Sequence, residues 1–188
     1  MDQLDVKTKI GLVVVSASSI SELRYPKAAP PGVAFLTSRM MLAEGESIDA
    51  LIEMESNAGR AVGELASAKV DSVAYCCTVS GALRGMEADR QFCQELEDQF
   101  RTPITSTIMA VGETLQHLGL KKIVVTTPYP DSHHVAERAY LQEAGIELNR
   151  QIETIHEKER ILVAVRERRD SAAQILERAA REHTDYIA

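Results

Sequence analysis

The segment "SVAYCCTVSGALRG", residues 72–85, changes from an apolar run to small polar residues at two adjacent cysteines. Residues 70–76 carry the valine and tyrosine side chains that favour a strand, and residues 77–81 read as a polar loop. A similar change from apolar residues to a polar loop follows the runs "KIGLVVV" (9–15) and "KKIVVTT" (121–127). We therefore predict three buried strands that end in loops carrying polar or reactive groups.

Segments of helical periodicity separate these strands. The longest predicted helix covers residues 47–69, where Leu51, Val62 and Leu65 fall close to one stripe. Helices are also predicted at 87–100, at 110–118 ending at Gly119, from Asp131 or Ser132 to Gly145, and at 171–183, with further strands at 32–37, 102–106 and 146–149. This alternation predicts an α/β fold in which helices flank a largely parallel sheet, with residues 1–188 as one unit.

Composition limits the classes of partner. The 188 residues suffice for one domain with a complete hydrophobic core. The net charge of −7 argues against sequence-independent binding to the phosphates of nucleic acid. No apolar stretch approaches the roughly 20 residues of a membrane span, and the N-terminal segment lacks the apolar run of a secretion signal. The three cysteines form a poor disulfide framework. We therefore expect a cytoplasmic protein with free thiols that binds small molecules or proteins.

The chain contains a weak internal sequence repeat. A helix followed by "VDSVAYCC" near residue 70 resembles the helix followed by "TDYIA" at the end, with Asp71 and Asp185 in equivalent places. If this repeat continues, position 191, three residues after Ala188, corresponds to Cys77. A cysteine at that position would give the second half a thiol equivalent to Cys77.

Three loops are expected to meet at one edge of the sheet, because ligands of open parallel sheets bind outside the carboxyl ends of the strands. They are "SASS" (16–19), "CTVSG" (77–81) and "TTPY" (126–129). Backbone N–H groups at strand-to-helix turns bind carboxylate or phosphate oxygens, and a thiol among such donors has a lowered pKa. The first hypothesis is therefore cysteine chemistry on a small carboxylate.

A structural interpretation of the same residues stands beside this hypothesis. Free cysteines are often buried for packing alone, and strand alternation sends Cys76 and Cys77 to opposite faces, so at most one should face a given site. Tyr129 and the loop serines are also compatible with surface and turn roles. Adjacent His133 and His134 point about 100° apart on a helix, which favours exposure over a zinc site.

Cofactor motifs are missing from the sequence. Neither a G-x-G-x-x-G fingerprint nor a G-x-x-x-x-G-K-[ST] phosphate loop occurs, so dinucleotide and nucleotide chemistry are disfavoured. Of the two adjacent thiols, Cys77 at the loop is the candidate for chemistry, whereas Cys76 is expected to be packed.

Two motifs together resemble a known family. "VDSVAYCCTVSG" (70–81) is similar to the strand ending in Cys-Thr, and "LGLKKIVVTTPYPDSHHVAERAYLQEAGIEL" (118–148) to the Thr-Pro-Tyr segment, of the maleate isomerase and arylmalonate decarboxylase branch of the aspartate/glutamate racemase superfamily. The resemblance runs from about Lys9 to the end. It implies a pseudo-twofold pair of flavodoxin-like halves, approximately 1–110 and 111–188 with the second incomplete, a homodimer, and no cofactor.

The resemblance also implies roles for single residues. Cys77 takes the place of the first-half catalytic thiol, and the N–H groups of Thr78 and Val79, together with Tyr129, would hold a substrate carboxylate. The substrate-binding set predicted around them consists of Ser18, Thr78, Val79, Ser80 and Glu159.

Two departures bear on the substrate. Ser18 and Glu159 fall where maleate isomerases usually carry asparagines, and a carboxylate at 159 would repel a dianion unless it were protonated or turned away. The leading hypothesis is a cofactor-independent isomerase acting on a small carboxylate or dicarboxylate through the Cys77 thiolate. An amino-acid racemase, an arylmalonate-type decarboxylase and a non-catalytic carboxylate-binding relative are the alternatives.

Overall fold

The computed structural model describes residues 6–43, 47–127, 129 and 131–152. In these ranges the strands are β1 (Thr8–Val15), β2 (Val33–Met40), β3 (Ser72–Cys76), β4 (Ile104–Ser106), β5 (Lys122–Thr126) and β6 (Glu147–Ile152). The helices are α1 (Ser21–Ala28), α2 (Ile48–Glu55), α3 (Ala58–Ser67), α4 (Thr78–Arg84), α5 (Met86–Phe100), α6 (Thr107–His117) and α7 (Asp131–Glu143). None of the helices in the described ranges is long and apolar enough to cross a membrane.

The first four strands form one parallel sheet in the order β2-β1-β3-β4, and β5 and β6 form a separate parallel pair joined through α7. Along the first sheet the strand order reverses between β1 and β3, where Val14 pairs with Cys76. The predicted α/β fold with a parallel sheet flanked by helices is confirmed. The division into halves near residue 110 stays a prediction.

Alternation along β3 decides which side of the sheet holds the main core. Val73 and Tyr75 are at most 1% exposed and pack with α2, α3 and α5, whereas Ser72, Ala74 and Cys76 on the other face are half-buried. Each buried apolar side chain of this size contributes about 1.5–3 kcal/mol. Core residues that are at most 1% exposed include Leu12, Val13, Met40, Met54, Ala61, Val62, Val73 and Tyr75.

Three helix predictions differ from the structure, and the helix predicted at 171–183 lies outside the described residues. The helix predicted over 47–69 is two helices, because Ser56 and Asn57 leave the α-helical hydrogen-bond pattern and bond three residues back, to Glu53 and Met54. Serine and asparagine compete for backbone hydrogen bonds and so favour such breaks. Helix α1 was not predicted, because Pro26 lies inside it and proline disfavours a helix interior. Residues 77–81, predicted as a loop, lead instead from Cys77 into helix α4, because burial of Val79 and Ala82 outweighs the local turn preference of the small polar residues.

A buried carboxylate connects four elements of the fold. Asp89 on α5 is 0% exposed and accepts hydrogen bonds from Arg84 at the end of α4 (2.7 Å), from Ser106 before α6, and from the Tyr140 hydroxyl on α7 (3.1 Å). The Arg84 guanidinium also pairs with Glu55 on α2. Because a buried charge is stable only when it is paired and hydrogen-bonded, this network holds α4 in place.

Gly81 lies where α4 approaches its neighbours most closely. A Cβ atom there would stand 2.7 Å from Ile108 Cγ2 and 3.0 Å from Asp89 Oδ1. We expect Gly81→Ala to lower the free energy of unfolding by about 1–3 kcal/mol through overpacking, although alanine is the better helix former. Urea unfolding checks this result.

The matched control is Gly59→Ala on α3, where nothing lies within 4 Å of the added atom. There the substitution should leave stability unchanged or raise it by up to about 1 kcal/mol. Equal stability changes in the two variants would show that α4 is not sterically confined.

Candidate functional site

A cavity of about 460 Å³ opens at the carboxyl ends of β1 and β3, where the strand order of the sheet reverses. This is the place where open α/β sheets bind ligands. All three polar loops predicted from the sequence contribute to its walls, together with α1 and the segments after β2 and β4. The lining residues include Val15, Ser18, Tyr25, Leu42, Leu51, Cys76, Cys77, Thr78, Val79, Thr107, Tyr129 and His133.

Cys77 stands between β3 and α4. Its backbone is extended, with φ −137° and ψ 97°, and it is the residue that precedes the first turn of α4. The side chain is 6% exposed, and its sulfur lies 3.1 Å from the Ser80 hydroxyl oxygen. The main chain itself therefore holds the thiol at the cavity, with Ser80 behind it.

The pKa of the Cys77 thiol is raised, chiefly because burial disfavours the thiolate. Hydrogen bonds from the Ser80 side chain and backbone act in the opposite direction but are the smaller effect. The predicted lowering of the pKa by the loop N–H groups is thus wrong. Burial also raises the pKa of Cys76 to about 11 and that of Cys93 to about 12.

Cys76 does not behave as the packed neighbour that strand alternation predicted. It is half-buried, less enclosed than Cys77, and both thiols line the same cavity. The reason is that β3 ends at Cys76, so Cys77 already follows the turn into α4 and the two-residue alternation no longer applies. The third cysteine, Cys93, is 3% exposed in the core, as predicted for its helix.

The first loop is held by a residue that the sequence did not single out. Arg39 at the end of β2 donates to the backbone oxygens of Ser16 (2.9 Å) and Ser18 (3.0 Å) and pairs with Glu22 on α1. The Leu42 N–H donates to the Ser16 hydroxyl at 2.9 Å. The parallel pairing of β1 with β2 brings these groups together, and a scan for motifs along one loop cannot find that contact.

The third loop places Tyr129 on the cavity wall. Its backbone N–H donates to the Thr127 hydroxyl at 3.3 Å, and this hydroxyl also contacts the His134 ring. His133 and His134 are 3% and 4% exposed, so the expectation that these histidines are solvent-exposed is wrong. Helix α7, which carries both rings, packs against α4 and β6. Across the described residues no group of three or more histidine, cysteine or acidic side chains could hold a metal ion.

The structure brings most of the predicted site together. Ser18, Cys77, Thr78, Val79 and Tyr129 line one cavity, whereas Ser80 lies behind Cys77. Glu159 lies outside the described residues. None of the described lining residues is a lysine or an arginine, so a bound carboxylate would depend on N–H and hydroxyl donors within this part of the chain.

A second cavity, of about 640 Å³, lies on the face of the sheet that carries α1 and α6. Its described walls are mostly apolar, with Leu12, Val33 and Phe35 among them, and they contain neither a thiol nor an imidazole. The larger cavity therefore lacks the reactive groups that mark the smaller one.

Comparisons with known proteins agree with the geometry. The sequence model of the arylmalonate decarboxylase family matches residues 10–180. The maleate isomerase of Pseudomonas putida is 26% identical over 152 residues, which cover 74% of this chain and 60% of that protein, and the maleate isomerase of Alcaligenes faecalis is 27% identical over 155 residues with the same coverage. The chain thus spans about 60% of the length of these curated relatives.

Solved structures show the same likeness. The maleate isomerase Iso from Pseudomonas putida S16 superposes with a TM-score of 0.70 at 25% identity, covering 78% of this chain and 64% of that one. A mutant of the Nocardia farcinica maleate cis-trans isomerase with a covalently bound succinylcysteine intermediate has a TM-score of 0.72, with the same identity and coverage. An arylmalonate decarboxylase, 21% identical with a TM-score of 0.62, shares the fold.

Proposed function

Since the chain belongs to the arylmalonate decarboxylase family, we propose that it is a cofactor-independent isomerase, similar to maleate isomerase, that acts on a small carboxylate or dicarboxylate. The observation that carries the proposal is the position of Cys77, on the cavity at the point where the strand order reverses. A related structure that holds a succinyl group on cysteine supports a thiolate nucleophile.

In the proposed reaction the Cys77 thiolate adds to one carbon of a cis double bond. The π electrons move into the adjacent carboxylate, and the former double bond becomes a single bond that can rotate. The electron pair held by that carboxylate then re-forms the double bond in the trans arrangement, while the C–S bond breaks and its electron pair returns to sulfur. The thiolate is regenerated, so the reaction needs no oxidant, reductant or co-substrate.

Binding groups for the substrate come from the same loops. Thr78 and Val79 lie at the start of α4, where their N–H groups have no intrahelical acceptor and suit a carboxylate. Tyr129 and Ser18 are on the same cavity and would supply further contacts. We assign Ser80 to supporting the thiol, and Glu159 remains a predicted contact to the far end of the substrate. A homodimer in the cytoplasm is part of the proposal.

Arylmalonate-type decarboxylation is the second candidate, because the family model that matches the chain is that of arylmalonate decarboxylase. Amino-acid racemisation and carboxylate binding without catalysis are the remaining alternatives. They differ in which bond of the acid changes, and a product assay separates them.

Proton NMR of small acids incubated with the full-length protein tests the proposal. An isomerase converts the vinyl signal of maleate or a related cis-enoic acid into that of the trans isomer. A decarboxylase acting on an arylmalonate produces a new arylacetate signal, and a racemase exchanges an α-proton in D₂O. Thermal stabilisation by an acid without any of these changes identifies a binding protein. Absence of cis-trans conversion across the series would refute the isomerase.

A further inference from the structure

His133 is a buried imidazole on the wall of the Cys77 cavity. It lies in the first turn of α7, is 3% exposed, and lines the cavity with Cys77, Thr78 and Tyr129. Its ring meets the Tyr129 ring edge-on, with centroids 6.1 Å apart and an interplanar angle of 72°. The position is thus sterically defined and borders the same space as the candidate nucleophile.

The imidazole is also incompletely bonded. His133 Nδ1 is buried and has no hydrogen-bond partner among the residues that the structure describes, whereas the neighbouring His134 ring contacts the Thr127 hydroxyl. A buried polar atom without a partner costs about 1–3 kcal/mol. Such an atom calls for a functional explanation more often than a satisfied one does.

The proposed chemistry requires a proton acceptor near Cys77, because a thiol must become a thiolate before it can attack. The described side chains on the cavity that can exchange a proton are Tyr25, Cys76, Cys77, Tyr129 and His133. Tyrosines and thiols are protonated at neutral pH, and only an imidazole accepts a proton there. The walls of the described cavity therefore contain one group suited to this task.

We propose that His133 is the base that takes the proton of Cys77 and keeps it while the sulfur reacts. The S–H bond breaks as an N–H bond forms on the imidazole, leaving a thiolate beside an imidazolium. When the product has left, the proton returns to sulfur and the starting pair is restored. This assignment rests on the proposed function, although the ion pair itself can be detected without substrate.

Other titratable groups around α7 contribute to its pH dependence. Glu137, one helical turn after His133, is 3% exposed, and burial raises its pKa to about 7. The elements around the cavity and α7 carry further titratable or charged side chains. They are Tyr25 on α1, Cys76 on β3, Arg84 on α4, Asp89 on α5 and Glu147 on β6. An experiment on His133 must therefore separate its titration from that of Glu137.

The alkylation rate of Cys77, followed by mass spectrometry with iodoacetamide from pH 5 to pH 10, tests the proposal. At low pH both groups of the pair are protonated and the rate is low. In the native protein it should rise near the titration range of an imidazole, because the first proton lost leaves a thiolate-imidazolium population. In His133→Gln the rise should move to the range of an isolated thiol, with a rate at pH 7 at least about tenfold lower.

Controls assign the effect to one residue. His117→Gln, on the exposed side of α6, should leave the Cys77 profile unchanged, and Cys93 serves as an internal standard in every sample. If the midpoint of the pH profile of Cys77 alkylation persists in Glu137→Gln but disappears in His133→Gln, the midpoint reports His133. An identical Cys77 profile in the native protein and in folded His133→Gln would overturn the proposal.

A reciprocal measurement keeps the proposal testable if His133→Gln does not fold. The imidazole carbon resonances of His133, recorded by NMR near neutral pH, should move in Cys77→Ala because the group that exchanges a proton with the ring is lost. Unchanged His133 resonances would overturn the pair. If the protein turns over a carboxylate but alkylation of Cys77 does not depend on His133, the proposed function holds and the assignment of His133 as the base is refuted. If alkylation depends on His133 but no carboxylate is turned over, only the proposed function is refuted.

Discussion

Cys77→Ser is expected to reduce turnover of the carboxylate substrate by at least about a thousandfold, because a hydroxyl is a far poorer nucleophile than a thiolate at neutral pH. Serine has nearly the same shape as cysteine, and the neighbouring Ser80 hydroxyl can bond to either side chain. The fold and the affinity for a bound acid should therefore persist. Single-turnover NMR assays and thermal shifts with the same acid measure the two properties separately.

Cys93→Ser is the matched control, since Cys93 is a buried thiol on α5 away from the cavity walls. Its turnover per folded molecule should equal that of the native protein. Full activity in Cys77→Ser would remove Cys77 from the mechanism. If activity instead disappeared in Cys76→Ser, the chemistry would belong to the half-buried neighbour on the same cavity.

Asp89→Ala is expected to lower the free energy of unfolding by about 3–5 kcal/mol, because removing one partner of a buried charge network leaves the others uncompensated. Arg84 loses its 2.7 Å contact with Asp89 and keeps its ion pair with Glu55, while Ser106 and the Tyr140 hydroxyl lose their acceptor. The midpoint and slope of urea unfolding measure the change. Four elements meet at this carboxylate, so the whole transition should shift to lower urea concentration.

The control substitution is Asp98→Ala, which removes a carboxylate from the exposed side of the same helix, where it accepts a hydrogen bond from the Gln94 amide at 3.1 Å. Surface substitutions of this kind change stability by at most about 0.5 kcal/mol. Similar losses in the two variants would mean that the effect is one of helix propensity and does not depend on the buried network.

The fold could be predicted because its signals are local. Apolar runs such as residues 9–15 and 121–127 appear as β1 and β5 within one or two residues, and Gly119 and Gly145 end α6 and α7 with φ of 67° and 77°. The candidate site followed from the same signals, because the carboxyl ends of parallel strands share one edge of the sheet. This geometry placed Cys77 and Tyr129 on one cavity.

Features that depend on contacts between distant segments could not be predicted. The buried rings of His133 and His134 require α7 to pack on α4, and Arg39 reaches the first loop only because β2 pairs with β1. The direction of the Cys77 pKa shift depends on how deeply the thiol is enclosed, which no local pattern shows. Tertiary packing sets each of these properties.

The hydrogen bond from Tyr140 to Asp89 bears on how the molecule unfolds. Tyr140 belongs to the helix between β5 and β6, whereas Asp89 and Ser106 belong to the four-stranded sheet and its helices. One enclosed carboxylate thus serves both sides of the predicted boundary near residue 110. Opening of either side breaks the bond between Tyr140 and this enclosed network. The described parts should therefore melt in one cooperative transition, and their most protected amide protons should report a common free energy of opening.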